Sequence, residues 1–152
     1  MSDWPDALDE QILAGLRDGF DAVDPPPPFL DDLVVLALGS SRLDADVARL
    51  VEDASVAPGA RASAGVRTLR FEGAGGTTVL LRVAEDPGGA RRVDGWLLPA
   101  GAATVELHGH GGTVTVDADA SGRFVVEGVP AGAAQLVVRG AHGVVVTSAV
   151  PL

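Results

Sequence analysis

Two different spacings of apolar residues divide the chain. Leu8, Ile12, Leu16, Phe20 and Val23 recur three or four residues apart, the stripe of an amphipathic helix. Asp3 or Asp6 can cap its start, and Asp9 and Glu10 suit the positive end of the helix dipole. The run Pro25 to Pro28 ends it, because proline cannot continue a helix and forces its predecessor to be extended. Pro28 is placed to open a second helix reaching about Leu38, before Gly39-Ser40-Ser41 breaks it. Ser41 and Asp44 resemble a capping arrangement, and Leu43, Val47, Leu50 and Val51 form a further helical stripe. Residues 1–60 therefore read as a helical segment of two to three helices. Residues 54–65, with Pro58, Gly59 and Gly65, have linker character.

From Val66 the period shortens to two. The runs VRTLRFE, TTVLLRVAE, ARRVDGWLLP, ATVELHG, GTVTVDA, RFVVEG, AQLVVRG and GVVVTSAV are separated by glycine-rich turns. Val79, Leu81 and Val83 share one face of their run; Val114 and Val116 point away from Thr113, Thr115 and Asp117. Phe124, Val126, Leu136 and Val138 are expected inside, with Arg123, Glu127 and Arg139 outside. Short strands at this spacing predict antiparallel pairing, and no strand–helix alternation suggests a parallel nucleotide-binding sheet. The expected fold class is α+β: a helical segment over residues 1–60, then an antiparallel seven- to eight-stranded β-sandwich over residues 61–152.

Charge follows the same division. Residues 1–60 hold 13 Asp/Glu against Arg17, Arg42 and Arg49, so 3 − 13 = −10. Residues 61–152 hold eight of each sign and cancel, so the whole net charge of −10 lies in the helical segment. Every basic residue is Arg, and Lys and Asn are absent. Nucleic acid is a poor partner for such a chain, since phosphate contacts need clustered Arg or Lys. With 47% hydrophobic residues the chain can build a core. Without cysteine it has no disulfide framework and no thiol chemistry. The acidic start MSDWPDALDEQ lacks the basic-then-apolar order of a secretory signal, and Leu33 to Leu38 is too short to span a bilayer. A cytoplasmic protein is the expectation.

Candidate chemistry adds little. In DADASGRFVVEG, Asp117, Asp119, Ser121 and Gly122 imitate the first half of a calcium loop. The twelfth position, where such a loop needs a bidentate carboxylate, is Gly128, and the ninth is Val125. The segment reads instead as a turn between strands, with Asp119 and Ser121 bonding nearby backbone and Gly122 adopting positive φ. His108 and His110 alternate on a strand with Glu106 as the near third ligand, which is short of a zinc site. His142 sits in the Gly140–Gly143 turn, and Ser121 and Ser148 lack a nucleophile-elbow context. GAGG at Gly73–Gly76 has no following Lys-Ser/Thr, so it is a hairpin and not a phosphate loop. No catalytic residue, cofactor or metal is expected.

The segment from Val93 to Gly140 resembles a carboxypeptidase regulatory-like domain, a small transthyretin-like β-sandwich. The shared positions are Gly95, the alternating strand Thr104–Leu107, D-x-x-G-x-F at Asp119–Phe124 and P-x-G at Pro130–Gly132. These are turn and core positions, so the resemblance implies a fold and not an activity. The whole chain also resembles an uncharacterised bacterial family encoded beside extracytoplasmic-function sigma factors. Asp24-Pro25-Pro26-Pro27, Arg42-Leu43-Asp44-Ala45-Asp46-Val47-Ala48-Arg49-Leu50 and Arg67-Thr68-Leu69-Arg70-Phe71 carry that likeness. It implies a regulatory or accessory role.

The function expected from these features is a non-enzymatic regulatory or adaptor protein binding a basic protein partner, such as a sigma factor or an associated regulator. Leu8, Ile12, Asp31, Asp32, Leu43, Asp44, Val47 and Leu50 are the expected contact residues. Apolar side chains would hold the complex and carboxylates would steer it. The alternative is an accessory β-sandwich module that binds carbohydrate or assists an associated enzyme. Such a module needs exposed aromatics, and the chain offers only Trp4 and Trp96 of the larger kinds.

Overall fold

Why the first stripe becomes a helix is visible at its ends. The computed structural model describes residues 6–40, 44–55 and 65–152. Helix α1, Ala7–Val23, starts at a capping box: the Asp6 carboxylate accepts from the Leu8 and Asp9 N–H groups, and Asp9 accepts from the Asp6 N–H. It stops at Asp24, directly before the prolines. Helix α2, Leu30–Ser40, opens two residues later than expected, because Phe29 takes a left-handed conformation (φ 64°) and the Leu30 N–H turns back to the Pro27 carbonyl. It runs through Gly39, with the Ser40 hydroxyl donating to the Ala37 carbonyl. Among the described residues no helix is long and apolar enough to cross a membrane. The chain forms two compact units, one ending at Leu30 and the other beginning at Asp31.

The expected third helix is a strand. Val47, Leu50 and Val51 lie in β1, Asp46–Ser55, while Leu43 lies outside the described residues. The same letters fit both periods. Ala48 is fully buried and Leu50 packs against the core, two residues apart on one face, while Val47 and Val51 on the other face are exposed. Tertiary pairing chooses between the periods. Asp46–Ala48 pair in parallel with β9, Gly143–Thr147, and Arg49–Ser55 pair antiparallel with β2, Arg67–Glu72. A register shift between Leu50 and Glu52 interrupts the second ladder.

All eight runs after Val66 are strands. After β2 come β3 (Thr78–Glu85), β4 (Arg91–Leu98), β5 (Ala103–Gly109), β6 (Gly112–Ala118), β7 (Arg123–Val129) and β8 (Ala133–Gly140). The last run divides into β9 and the short β10, Val150–Pro151. With β1 the strands among the described residues number ten, in the order β6-β5-β8-β9-β1-β2-β3-β4-β7, and β10 pairs with β8. The β1–β9 pairing makes the sheet mixed, where a purely antiparallel one was expected. The path curls on itself until its end strands, β6 and β7, lie beside each other, so the sheet is nearly closed. The described residues are thus mostly β, with two helices.

One core holds this sheet together. Leu69, Phe71, Val79, Leu81, Val93, Phe124 and Val126 from β2, β3, β4 and β7 join Val105, Leu107, Leu136 and Val138 from β5 and β8 in a single buried cluster. Each such side chain contributes about 1.5–3 kcal/mol when fully buried. Arg123, Glu127 and Arg139 are exposed, as the alternation requires. Gly95 stands opposite Phe124, whose ring lies across the glycine; a Cβ there would come within 2.0 Å of the ring carbon Cζ. The glycine of the regulatory-like pattern is thereby a packing requirement.

Candidate functional site

The two helices present apolar side chains that the fold does not use. α1 has no buried residue; Leu8 is 63% and Ile12 53% exposed, and Leu16 and Phe20 are also more than half exposed. Its opposite face carries Glu10, Arg17, Asp18 and Asp21. Asp31 and Asp32 occupy the first turn of α2, where the helix dipole favours carboxylates. Val34, Val35 and Leu38 of that helix are exposed as well.

The expected contact residues do not form one helical surface. Leu8 and Ile12 lie on α1, Asp31 and Asp32 on α2, and Asp44 is exposed just before β1. Val47 is exposed on the outer face of β1, whereas Leu50 is turned to the core and helps hold the sheet. Its neighbour Asp46 has a role that periodicity did not mark. The Asp46 carboxylate accepts from the Ala74 and Gly75 N–H groups at 3.2 and 2.8 Å, tying β1 to the Gly73–Gly76 turn. The glycine-rich hairpin thus holds an anion, but an internal one.

The segment from Asp117 to Arg123 is a closed turn. Asp119 Oδ1 accepts from the Ser121 N–H (2.8 Å), the Ser121 hydroxyl (2.5 Å) and the Arg123 N–H (3.1 Å). These bonds, that of the Ser121 side chain first, hold the Asp119 carboxyl below its ordinary pKa. Gly122 takes φ 77°, and a Cβ there would meet the Leu97 carbonyl at 2.7 Å. Asp117 bonds instead to the Thr104 hydroxyl across the β5–β6 ladder.

On the outer face of β6, β5 and β8 a polar ladder runs from strand to strand. Thr113 Oγ1 and His108 Nδ1 are 3.2 Å apart, His108 Nε2 meets Glu106 at 3.1 Å, and Arg139 Nε donates to Glu106 at 3.1 Å. The bond from Arg139, then that from His108, holds the Glu106 carboxyl below the usual carboxylate range. His110 approaches Asp32 of α2 at 3.7 Å and shares no ligand set with His108. No cluster of three or more His, Cys, Asp or Glu side chains suited to a metal occurs among the described residues. α2 lies along this face and leaves a groove of about 360 Å³ lined by Val35, Leu36, Glu106, Gln135, Val137 and Arg139 among others. Sequence reasoning weighed Glu106 and His108 only as metal ligands and found them short of a site. Their partner Arg139 lies 33 residues from Glu106 in the chain, and the β5–β8 register alone brings them together.

Comparison with protein-family models, with curated proteins and with solved structures returned no match.

Proposed function

We propose that this chain is a non-enzymatic regulatory or adaptor protein whose acidic helical segment docks on a basic protein surface, as in a sigma-factor-linked system. The observation that carries the reading is α1: a capped helix with an apolar stripe, no buried residue, and carboxylates on the opposite face. An amphipathic helix of this kind is suited to lie in a groove of a second protein. Residues 1–40 hold nine carboxylates against Arg17 alone, which favours a basic partner and opposes pairing with a second copy of the same segment. The sheet is then the scaffold. That it is a carboxypeptidase regulatory-like antiparallel sandwich in all but the β1–β9 pairing is supported by the single core and by the Gly95, Gly122 and Phe124 positions.

The test is a photo-crosslinking residue placed at Leu16 and, separately, at Thr115 on the edge strand β6, with capture in the native host. The reading expects one abundant product from Leu16, joined through an Arg- or Lys-rich peptide and lost in high salt. A product from Thr115 alone, or one that a chain lacking residues 1–40 still forms, would overturn it. The deletion must stop before Asp44, since β1 belongs to the sheet.

A further inference from the structure

The groove between α2 and the outer face of β5 and β8 combines an apolar lining with charged groups of opposite sign, Glu106 and Arg139, bonded to each other. Val35 and Leu36 of α2 line it from the helix and Val137 of β8 from the sheet. Gln135, on the same strand, also lines it and is 5% exposed. Gln135 Nε2 donates to the Thr147 carbonyl at 2.9 Å and to Ser40 Oγ at 3.2 Å, while Oε1 has no partner among the described residues. A buried amide fixed on its donor side leaves a directed acceptor for whatever fills the space above it.

The charged sides are equally specific. Arg139 spends only Nε on Glu106; Nη1 and Nη2 bond no described residue, and the side chain is 44% exposed. The planar end of the guanidinium is therefore open for a carboxylate, the anion it matches two bonds at a time. Glu106 accepts one bond on each oxygen, from Arg139 and from His108, and each oxygen keeps a lone pair. Gly39 and Ser40, the C-terminal end of α2, line the same groove, and among the described residues the last turn of that helix, its negative dipole end, carries no basic side chain. Acceptors for a cation and a fork for an anion thus border one apolar slot.

We propose that this groove binds a small zwitterion with an apolar body, of the chemical class of a free aliphatic or aromatic amino acid. Its carboxylate sits on Arg139 Nη1 and Nη2, its ammonium group on Glu106 and the α2 end, and its side chain between Val35, Leu36 and Val137. Glu106 and Arg139 already neutralise each other, so a ligand carrying both charges leaves the site balanced. A ligand with one charge leaves the other side unanswered in a half-buried setting. The volume, about 360 Å³, lies in the range of small-ligand sites. Such a ligand touches α2 and the sheet together, so it fastens the helix to the strands.

Titration calorimetry and thermal melting of the full chain with L-leucine and L-phenylalanine, beside N-acetyl-leucine and leucinamide, test the assignment. Both free amino acids are expected to release or absorb heat saturably and to raise Tm, with either blocked form at least about tenfold weaker. Arg139→Gln and Glu106→Gln should each weaken leucine by about tenfold or more, and the ligand should slow hydrogen exchange in α2. Arg139 is exposed and Glu106 half-buried, so the unliganded melting of each variant reports whether its fold is intact. Absence of any saturable signal at millimolar ligand overturns the proposal. So does binding that survives both substitutions, or that favours a blocked form.

Discussion

The helical region, residues 6–40, and the sheet, within residues 44–55 and 65–152, use apolar residues in opposite ways. In β2, β3 and β4 alternate apolar side chains are enclosed; Leu69, Phe71, Val79 and Leu81 are wholly out of water. In α1 and α2 no side chain is buried, although Leu, Ile and Phe recur at helical spacing in α1 and Leu33 to Leu38 of α2 is a continuous apolar run. The stability of the fold is therefore concentrated after residue 44, and the apolar surface before it is available for other contacts. Charge sharpens the contrast, since nine of the 21 carboxylates lie in residues 1–40 with one Arg. A helix that is apolar on one face, acidic on the other and without a buried residue, as α1 is, is built for association more than for folding.

The largest effects that test this contrast lie in the sheet. Phe124→Ala should destabilise the protein by about 3–5 kcal/mol in urea unfolding, because a 2% exposed ring leaves a cavity. Gly95→Ala should also destabilise, since its Cβ would overlap that ring. The double variant should lose less than the sum of the two, because the shortened residue 124 makes room for the new methyl group. Additive losses would mean that Phe124 does not lie across Gly95.

The next effect belongs to the tie between β1 and the β2–β3 hairpin. Asp46→Ala leaves the Ala74 and Gly75 N–H groups without their acceptor and should cost about 1–2 kcal/mol. A helical reading of residues 43–51 gives Asp46 no such partner and expects almost no change, so the measurement separates the two periods directly.

That pair of periods shows what was legible in the sequence and what was not. The eight runs after Val66 were readable because alternation and glycine turns agree, as in Val79, Leu81 and Val83, all buried on one face of β3. α1 was readable because stripe, Asp6 cap and proline stop coincide. β1 was not, because Leu43, Val47, Leu50 and Val51 satisfy a helical period while Ala48 and Leu50 satisfy a strand period. Only the neighbours β9 and β2, nearly 100 residues away in the first case, decide between them. The groove beside Glu106 and Arg139 was hidden for the same reason: its walls come from α2, β5 and β8, and no local pattern joins them.

Smaller effects follow acid. The Asp53 carboxyl is held below its ordinary pKa, first by its hydrogen bond from Arg67, whose Nε and Nη2 reach it at 2.7 and 2.6 Å. A depressed folded-state pKa contributes stability that is present above the unfolded value, about 3.9, and lost as pH falls through the folded one. Asp53→Asn should therefore cost less than about 1 kcal/mol at pH 7, the pair being exposed, and the gap from wild type should close below about pH 4. Asp119→Asn should follow the same direction, since Asp119 is also depressed. Calcium or a chelator should leave the Tm of the wild type unmoved; a calcium-dependent rise would show that the Asp117–Gly122 turn takes up the ion.

The smallest stability effect carries the most about function. Leu16→Ala on α1 removes a side chain that is 53% exposed and replaces it with the best helix former, so unfolding should change by no more than about 0.5 kcal/mol. Asp31→Arg with Asp32→Arg should cost somewhat more, through the α2 dipole and the loss of the His110 contact, but leave the sheet core untouched. Against a basic partner the two variants should separate kinetically. Truncating Leu16 mainly speeds release, because it removes buried contact area in the complex. Reversing the two aspartates mainly slows association, and added salt should affect the wild type more than this variant, because steering by those charges is already gone. If both variants bind as the wild type does, the exposed stripe and the acidic face serve solubility, and the contrast between the two regions loses its functional meaning.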